Sequence, residues 1–408
     1  MGGRGGASAA RQETHAHDRR SRRPRGRRRH LHTIPELGFA EHETATFVAA
    51  RLAEMGWSVA AGVGGTGVVG TLQAGRAPRT GGPRAIALRA DMDALPIAEA
   101  VARPHASRHA GRMHACGHDG HMAMLLGAAR ELAARPDFHG TVHLIFQPAE
   151  EHGRGAAAML ADGLLERFPF DEVYGLHNMP GLPFGRFATR PGGLMAAEDN
   201  FEIVVEGVGT HAARPHMGLD PLVVGAEIVL ALQGIVARRL DPVAQAVVSV
   251  TEFLTDGQRN VLPGRVTLRG DTRSFDPAVS AMIEARMAAI AAGLCQAHGA
   301  GHRFLYTREF RPTVNSAAQT AWALDAARAV AGAEGAEGAE GDCAPVLASE
   351  DFGAFLERVP GNFMFLGSGL AGETGGVPLH NAAYDFQDGL LPLGAAYFAT
   401  LARQRLAG

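Results

Sequence analysis

The chain has 408 residues, a formal charge of -3 at pH 7 and 46% hydrophobic residues. Single hydrophobic cores stop growing near ~250 to 300 residues, so this length indicates at least two domains. The near-neutral charge provides no basic surface field that would attract nucleic acid, and the composition is that of an ordinary globular protein, so we expect a small-molecule partner.

The first 27 residues are rich in glycine, alanine and arginine and have no apolar periodicity. A segment of this kind cannot bury a core face, so residues 1–27 are predicted to be a disordered tail. The basic run at residues 19–29 is interpreted as a solvated tail, or as the product of a wrong start or shifted frame, rather than as an arm for nucleic acid or an anionic surface. No apolar stretch follows its paired arginines, so we expect no export signal.

From His30 onward, short apolar runs alternate with segments of helical periodicity. Buried strands that alternate with helices are typical of an α/β domain with a largely parallel sheet. The first helix is predicted at residues 44–55, where Gly56 provides a C-terminal stop. The other predicted elements of this part are strands at residues 68–72, 85–88, 142–146 and 173–176 and helices at residues 122–134 and 156–165.

After Gly192 and Gly193 the order of elements becomes β-α-β-β-α-β, which is typical of a ferredoxin-like unit. The sequence therefore predicts an α/β domain in two parts, residues 28–194 and 311–408, with an inserted α+β domain at residues 195–310. The predicted strands of the insert are residues 201–208, 246–253, 261–269 and 302–309, and its helices are residues 221–239 and 277–298.

Two stretches of unusual composition are interpreted as structural features that have no role in function. The apolar residues 222–237 are interrupted by polar side chains and fall short of the ~20 residues of a membrane span, so we expect a buried amphipathic helix and no membrane contact. Residues 332–341 repeat Ala-Glu-Gly and are interpreted as a surface loop.

Polar residues follow three of the predicted strands of the α/β domain. Asp91 and Asp93 follow the second strand, Glu150 and Glu151 follow the third, and His177 follows the fourth. In open α/β sheets, ligands bind beyond the carboxyl ends of the strands, so we expect these side chains to meet at one edge.

The loop at residues 113–121, Met-His-Ala-Cys-Gly-His-Asp-Gly-His, carries five polar groups. The thiolate of Cys116 and the imidazole of His118 can turn toward one ion, and this mixture of ligand types favours zinc, manganese, cobalt or nickel over calcium. Cys116 taken alone would be interpreted as a small buried residue, but the density of polar groups favours metal binding.

Glu150 and Glu151 are adjacent acids at a strand end, where like charges repel and one pKa must rise. A metal ion relieves this repulsion, because one carboxylate can bind the ion while the other accepts a proton from water. The alternative is a pair of solvated acids in a loop.

A series of motifs, in this order, resembles the dinuclear metallopeptidase-like amidohydrolases. That family includes hippurate hydrolase, bacterial N-acyl-amino acid amidohydrolases and plant auxin-conjugate hydrolases, with aminoacylase and carboxypeptidase G more distant. The resemblance extends from about residue 28 to the C-terminus. The motifs are HTIPELGFAEHET, LRADMDALPI, MHACGHDGHMAMLLGAA, IFQPAEE, GLHNMP, GTHAARPHMGLDP, NVLPG, ASEDFG and PLHN.

The resemblance implies two divalent metal ions per subunit and Glu150 as general base. It implies five metal ligands from the protein. This number exceeds the three or four that bind a single catalytic zinc, and it suits a pair of ions. Cys116 resembles the position at which the wider family has a bridging aspartate, and Asp93 resembles a carboxylate that orients a ligand imidazole. Asp91 stands where more distant relatives have a ligand histidine. The implied ligands are Cys116, His118, Glu151, His177 and His380.

In the inserted domain the resemblance implies a lid and dimerisation role, with a homodimer or a dimer-based tetramer. His211 resembles a histidine that crosses the dimer interface to polarise the scissile carbonyl, although a loop histidine bonded to backbone is the alternative. Asn260 and Arg273 resemble residues near the substrate carboxylate. An arginine can bind a carboxylate through two parallel hydrogen bonds, which fits that role, but Arg273 could equally be a surface charge at the end of a strand.

The implied reaction is hydrolysis of the amide bond of an N-acyl amino acid, such as an N-benzoyl or N-acetyl derivative. A dipeptidase or deacetylase using the same site is the alternative enzyme, and a relative that binds acyl amino acids without turnover is the alternative outside enzymes. The three cysteines, Cys116, Cys295 and Cys343, are far apart and odd in number, which favours a reducing, cytoplasmic compartment.

Overall fold

The computed structural model of the protein describes residues 24–75, 82–331 and 338–407. The described residues form two compact units. The first unit lies within Met1–Gly192, Asn315–Ala344 and Ala354–Gly408, and the second within Gly193–Val314 and Pro345–Gly353.

The described strands and helices are numbered here in chain order. The strands are β1 Ser58–Val63, β2 Gly67–Ala74, β3 Ala85–Asp91, β4 Gly140–Gln147, β5 Glu172–Pro180, β6 Phe187–Ala188, β7 Gly192–Met195, β8 Ala197–Glu206, β9 Thr210–His211, β10 Ala246–Thr255, β11 Val261–Leu262, β12 Arg265–Ser274, β13 Gly301–Phe310, β14 Thr313–Asn315, β15 Ala339–Glu340 and β16 Gly361–Gly369. The α-helices are α1 Pro24–His32, α2 His42–Glu54, α3 His118–Ala134, α4 Gly155–Ala161, α5 Leu164–Arg167, α6 Pro221–Arg239, α7 Pro277–His298, α8 Ala317–Val330, α9 Gly353–Leu356 and α10 Leu391–Arg405.

The first unit contains an eight-stranded sheet in the order β1-β2-β4-β3-β5-β16-β6-β15. Its central strands β4, β3, β5 and β16 run parallel, and all seven residues of β3 are buried, as expected for a strand covered on both faces. The β1–β2 hairpin extends one edge in antiparallel orientation. The predicted α/β class with a large, mostly parallel sheet is confirmed.

Helix α3 packs inside the first unit with most of its residues buried, because its sequence is apolar on nearly every side. It lies against α10, and Gly127 permits the close approach: a Cβ at this position would be 2.7 Å from the Cβ of Ala395. The helix begins at His118, which lies in its first turn.

The second unit contains an antiparallel sheet in the order β10-β12-β8-β13, against which α6 and α7 pack. Both helices begin with an aspartate cap followed by proline: Asp220 accepts a hydrogen bond from the backbone N–H of Leu222, and Asp276 accepts one from that of Ala278. The chain order β8-α6-β10-β12-α7-β13 is the β-α-β-β-α-β order that the sequence predicts.

The segment Pro345–Gly353 belongs to the second unit, although the predicted division assigned it to the α/β domain. Its backbone pairs with the start of the second unit: Val346 N–H donates to the carbonyl of Leu194 at 2.9 Å, and Ala196 N–H donates to that of Ala348 at 3.1 Å. These partners are about 150 residues apart in sequence, so no local pattern indicates the pairing.

Helix α6 has 19 residues, so the prediction that its apolar stretch is too short to span a membrane is wrong. By length and composition alone, both α6 and α7 could cross a membrane. In their most apolar 18-residue segments, 33% of the residues of α6 and 28% of those of α7 are buried. The buried positions of α6, which include Val224, Ile228 and Leu232, follow the helical repeat and contact the core of the second unit, as in the core helices of globular domains.

Two other predictions are corrected near chain segments of biased composition. Helix α1 begins at Pro24, so residues 24–27 are helical, and Arg27 and Arg28 are buried rather than solvated. The remainder of the predicted tail, residues 1–23, lies outside the described residues. Residues 332–337 of the predicted loop also lie outside them, whereas Ala339–Glu340 forms strand β15, paired with β6.

Candidate functional site

The parallel strands of the first unit bring several of the predicted site residues to one edge of the sheet. In the β3–β4 register Asp91 is paired with Gln147, so Glu150 follows β4 close to the end of β3. His177 lies on the neighbouring strand β5, which pairs with β3 on the other side. The N-terminus of α3 completes the group by supplying His118.

His118 is fully buried and its ring has one satisfied and one unsatisfied nitrogen. Its Nδ1 lies 2.8 Å from the backbone carbonyl of Asp93, so this nitrogen carries the proton and donates. Its Nε2 has no hydrogen-bond partner among the described residues. Three carboxylates surround Nε2: Asp91 at 3.8 Å, Glu151 at 3.9 Å and Glu150 at 4.0 Å. These separations leave room for a cation that binds nitrogen and oxygen at ~2.0 to 2.2 Å.

The ring of His177 is oriented in the same way. Its Nδ1 donates to the carbonyl of Asn178 at 2.7 Å, and its Nε2 lies 3.5 Å from the sulfur of Cys116. Burial, followed by the nearby imidazoles of His121 and His118, holds the pKa of His177 well below its usual value. A neutral imidazole and a cysteine sulfur, which binds metals as the thiolate, are a suitable pair of ligands for a transition-metal ion such as zinc.

His380 brings a distant part of the chain to this edge. Its backbone N–H donates to the carbonyl of Ala115 at 2.9 Å, and its Nε2 lies 3.4 Å from Oε1 of Glu151. His380 has a φ of 59° and Ala149, directly before Glu150, a φ of 48°. Non-glycine residues in this conformation cost about 1 to 3 kcal/mol, and such residues cluster at functional sites.

Among the described residues of the first unit, three groups of potential ligand atoms each have all their atoms within 4.8 Å of one another. The mixed sulfur, nitrogen and oxygen donors, together with the unpaired Nε2 of His118, fit a pair of divalent transition-metal ions. The structure thus brings together Glu150 and the five residues implied as ligands. The groups are Asp91, His118, His121 and His177; Cys116, Glu151 and His380; and His118, Glu150 and Glu151.

The electrostatics of the site are dominated by buried, opposed charges. Burial would lower the pKa of His118, but the carboxylates of Asp91, Asp93 and Glu151 raise it to about 10. Burial would raise the pKa of Asp91, but the charges of His118, His121 and Arg89 hold it well below its usual range. A bound cation would take the place of the proton on His118, so metal binding is coupled to proton release.

His121 was not singled out from the sequence, yet it lies inside this cluster. Its Nδ1 is 2.7 Å from Oδ1 of Asp91 and its Nε2 is 2.7 Å from Oδ1 of Asn178. Its spacing of three residues from His118, in the first turn of α3, could have indicated a shared helix face. The carboxylate of Asp93 accepts a hydrogen bond from Glu151 N–H at 3.0 Å, and its Oδ1 is 3.3 Å from Nδ1 of His118.

The residues predicted in the insert lie in the second unit. His211 is exposed, and its Nδ1 accepts a hydrogen bond from the backbone N–H of Ala213 at 3.1 Å. Asn260 is its neighbour through the β9–β11 pairing, because Ala212 N–H donates to the Asn260 carbonyl at 3.0 Å. The structure therefore brings His211 and Asn260 together on one exposed strand pair.

The guanidinium of Arg273 is paired within the second unit. It lies 2.6 Å from Asp271, 2.7 Å from Glu198 and 2.8 Å from Oγ of Ser349. Its charge is offset by two carboxylates near the end of β12, an arrangement that favours the alternative of a strand-end surface charge.

Comparison with known proteins gives a consistent set of similarities. The family description "Peptidase family M20/M25/M40" matches residues 87–404. The hippurate hydrolase of Campylobacter jejuni is 38% identical over 379 residues, which cover 93% of this chain and 95% of that protein. The N-acetyl-L-cysteine deacetylase of Bacillus subtilis is also 38% identical, with coverage of 93% and 87%. Among solved structures, Bacillus subtilis YXEP, described as a dinuclear metal binding peptidase from the M20 family, has a TM-score of 0.80, with 31% identity and coverage of 96% and 98%.

Proposed function

Because the chain belongs to peptidase family M20/M25/M40, whose hydrolases act on amides, we propose that it cleaves the amide bond of N-acyl amino acids. The products would be a carboxylic acid and a free amino acid. The observation that carries the proposal is the buried, unpaired Nε2 of His118, which faces the adjacent carboxylates of Glu150 and Glu151. Relatives named for hippurate and N-acetyl-L-cysteine support an N-acylated amino acid as substrate.

We assign two divalent ions to the site, with zinc, manganese, cobalt and nickel as the candidates. When bound, such ions polarise a carbonyl and lower the pKa of water. The residues that would hold them are Cys116, His118, Glu151, His177 and His380, and Asp91 lies within the same cluster.

The two adjacent glutamates receive different roles. Glu151 lies within 4.0 Å of two imidazoles, at 3.9 Å from His118 and 3.4 Å from His380, which supports its assignment as a ligand. Glu150 lies 4.0 Å from His118 and is 5% exposed. We assign Glu150 as the general base that accepts a proton from the attacking water and passes it to the leaving amine, so that no covalent intermediate is required.

His211 is proposed to donate a hydrogen bond to the developing oxyanion in the site of a partner subunit. Its Nδ1 accepts from Ala213 N–H, so the ring proton is placed on Nε2, where it is available as a donor. Asn260, exposed beside His211, is proposed as a contact for the substrate carboxylate. Arg273 would take the same role only by leaving its ion pairs.

The proposed homodimer, or dimer-based tetramer, is supported by the surface of the second unit. Strand β10 is an edge strand, and its exposed half includes Phe253 and Leu254. The outer face of α6 exposes Leu230 to 74% and Val223 to 51%. A long edge strand beside an apolar helix face is a surface that proteins normally cover. Cys116, Cys295 and Cys343 are buried and form no disulfide with one another, which supports the proposal of a cytoplasmic location.

A dipeptidase or deacetylase using the same site is retained as the second candidate, and the relative named for N-acetyl-L-cysteine, which is as similar as the one named for hippurate, supports the deacetylase. The deciding experiment is hydrolysis of N-acetyl, N-benzoyl and indoleacetyl amino acids and of dipeptides, after dialysis and re-addition of each of the four metals. We expect metal-dependent release of a free amino acid from at least one acyl series. Cleavage of dipeptides alone would favour a dipeptidase, and metal binding without any turnover would favour a non-catalytic relative.

A further inference from the structure

We infer that Arg28 is a positioning residue that holds together two chain segments bearing the proposed metal ligands. One segment contains Cys116 and His118, and the other contains His380. This inference rests on the proposed metal site and goes beyond it, because it assigns a role to helix α1, which supplies none of the ligands.

Arg28 is a buried cation between three carboxylates of the first unit, of which Asp119 is buried and Asp385 and Asp388 are partly exposed. Its side chain is 1% exposed. Its guanidinium lies 2.7 Å from Oδ1 of Asp385, 2.8 Å from Oδ1 of Asp388 and 3.5 Å from Oδ2 of Asp119. A planar guanidinium with five donors can bind several carboxylates at fixed angles, which an ammonium cannot reproduce.

Asp119 connects Arg28 to the first ligand segment. It is adjacent to His118 in the first turn of α3 and is fully buried. Its Oδ1 accepts a hydrogen bond from Gly120 N–H at 2.9 Å, and its Oδ2 accepts one from Nδ1 of His32 at 2.8 Å. Asp119 therefore binds a side chain of α1 through one oxygen and the backbone of α3 through the other. The position of α1 thus restrains the backbone next to His118.

Asp385 connects Arg28 to the second ligand segment, five residues after His380. The intervening chain is folded on itself, since Tyr384 N–H donates to the Asn381 carbonyl at 2.9 Å. The hydroxyl of Tyr384 also accepts a hydrogen bond from Nδ2 of Asn178 at 2.9 Å, next to His177. Arg28 therefore contacts one residue beside His118 and one residue on the His380 segment, 266 residues apart in the chain (385 - 119).

Helix α1 offers a matched comparison within one turn. Arg29 also pairs with Asp388, at 3.0 Å, but its side chain is 34% exposed. Replacing Arg29 would remove an ion pair between α1 and Asp388, to which Arg28 also binds. It would leave the contacts of Arg28 with Asp119 and Asp385 in place.

The test is titration of the metal-free protein with Co²⁺, followed by its visible absorption and by competition with a chelator. We expect Arg28→Met to bind Co²⁺ about 10- to 100-fold more weakly than wild type, in the range typical of residues that orient metal ligands, and to show an altered spectrum. Arg29→Met should bind like wild type, and Arg28→Lys should recover only part of the loss.

Circular dichroism shows whether each variant is folded. If Arg28→Met does not fold, Asp385→Asn provides the test of the inference instead. That variant keeps the Arg28–Asp119 contact and weakens the contacts of Asp385 with Arg28 and His105, so it should also lower Co²⁺ affinity. Folded Arg28→Met or Asp385→Asn protein with wild-type affinity and spectrum would overturn the inference. Wild-type protein that fails to bind Co²⁺ would instead overturn the proposed metal site.

Discussion

The Nε2 atom of His118 and the Oε1 atom of Glu151 lie 3.9 Å apart, and neither has a hydrogen-bond partner within the described part of the chain. Leaving a buried polar atom unsatisfied costs about 1 to 3 kcal/mol. Metal binding should relieve this cost. At a free Zn²⁺ concentration 100 times the dissociation constant, the folded protein should gain about 2.7 kcal/mol, seen as a higher thermal midpoint. His118→Ala should lose most of this gain, and an equal gain in both proteins would contradict the assignment.

Replacing Glu150 by Gln should preserve metal content and lower kcat by about 10² to 10⁴, because an amide cannot accept the proton of the attacking water. The matched control is Glu151→Gln, which alters the neighbouring side chain by the same chemistry but removes a proposed ligand. It should lower metal content itself, as should Cys116→Ala. Elemental analysis distinguishes the two outcomes, and a metal-free Glu150→Gln protein would show that the two glutamate roles are reversed.

Replacing His211 by Ala should lower kcat by about 10² to 10³, the usual effect of losing one oxyanion donor. His216→Ala, which removes another exposed histidine of the second unit, is the control and should be near wild type. If His211 acts across a two-fold dimer, mixed His211→Ala and Glu150→Gln subunits should recover up to about half of normal activity per heterodimer, since one site is intact. Proven heterodimers without activity would place His211 in its own subunit's site or outside the mechanism.

The His32–Asp119 pair should make stability depend on pH. Burial lowers the pKa of His32, but the charge of Asp119 raises it to about 9, above the ordinary 6.5. Protonated His32 thus stabilises the fold fully below pH ~6.5, and this contribution, roughly 3 kcal/mol, is lost as the pH rises through 9.

Urea unfolding of metal-free protein between pH 6 and 9.5 measures the His32 effect. The fluorescence of Trp57 and Trp322 is a suitable signal, because both tryptophans lie in the first unit. His32→Gln should lose stability less steeply over this range than wild type, whereas parallel curves for the two proteins would exclude the pair as the source.

Deletion of residues 1–22 should leave folding and turnover unchanged, because that sequence has no apolar face to bury. Extending the deletion through residue 29 removes Arg28 and leaves buried Asp119 without one of its cations. Breaking a buried ion pair in this way typically costs about 3 to 5 kcal/mol. Thermal unfolding of the two truncated proteins tests the boundary, and equal midpoints would show that α1 is dispensable.

Much of the site could be predicted because its chemistry follows local signals. Glu150 and His177 stand at or just beyond buried strands, and a parallel sheet brings such positions to one edge. The motif around His118 carries metal-ligand types at close spacing. The specific roles of the ligands, however, depended on the resemblance, since adjacent acids and loop histidines have ordinary alternatives.

Arg27 and Arg28 could not be placed from sequence, for a physical reason. A run of arginines is normally solvated. Arg28 can be buried because it pairs with the carboxylates of Asp119 and Asp385, which are 91 and 357 residues away in the chain. The same limit applies to Pro345–Gly353 and to the short strand β15, whose partners are also distant. Short-range periodicity contains no information about such pairings.

The position of strand β16 has a consequence during synthesis. Four of the proposed ligands precede the second unit in the chain, but β16, which pairs with β5, and His380 both follow it. A ribosome adding ~5 to 20 residues per second needs about 10 to 40 s to proceed from His177 to His380. Until β16 has been synthesised one side of β5 lacks its native neighbour, whereas the part of the second unit between β7 and β14 has been synthesised well before. Metal binding by the full set of proposed ligands would therefore be a late event, completed only after His380 has left the ribosome.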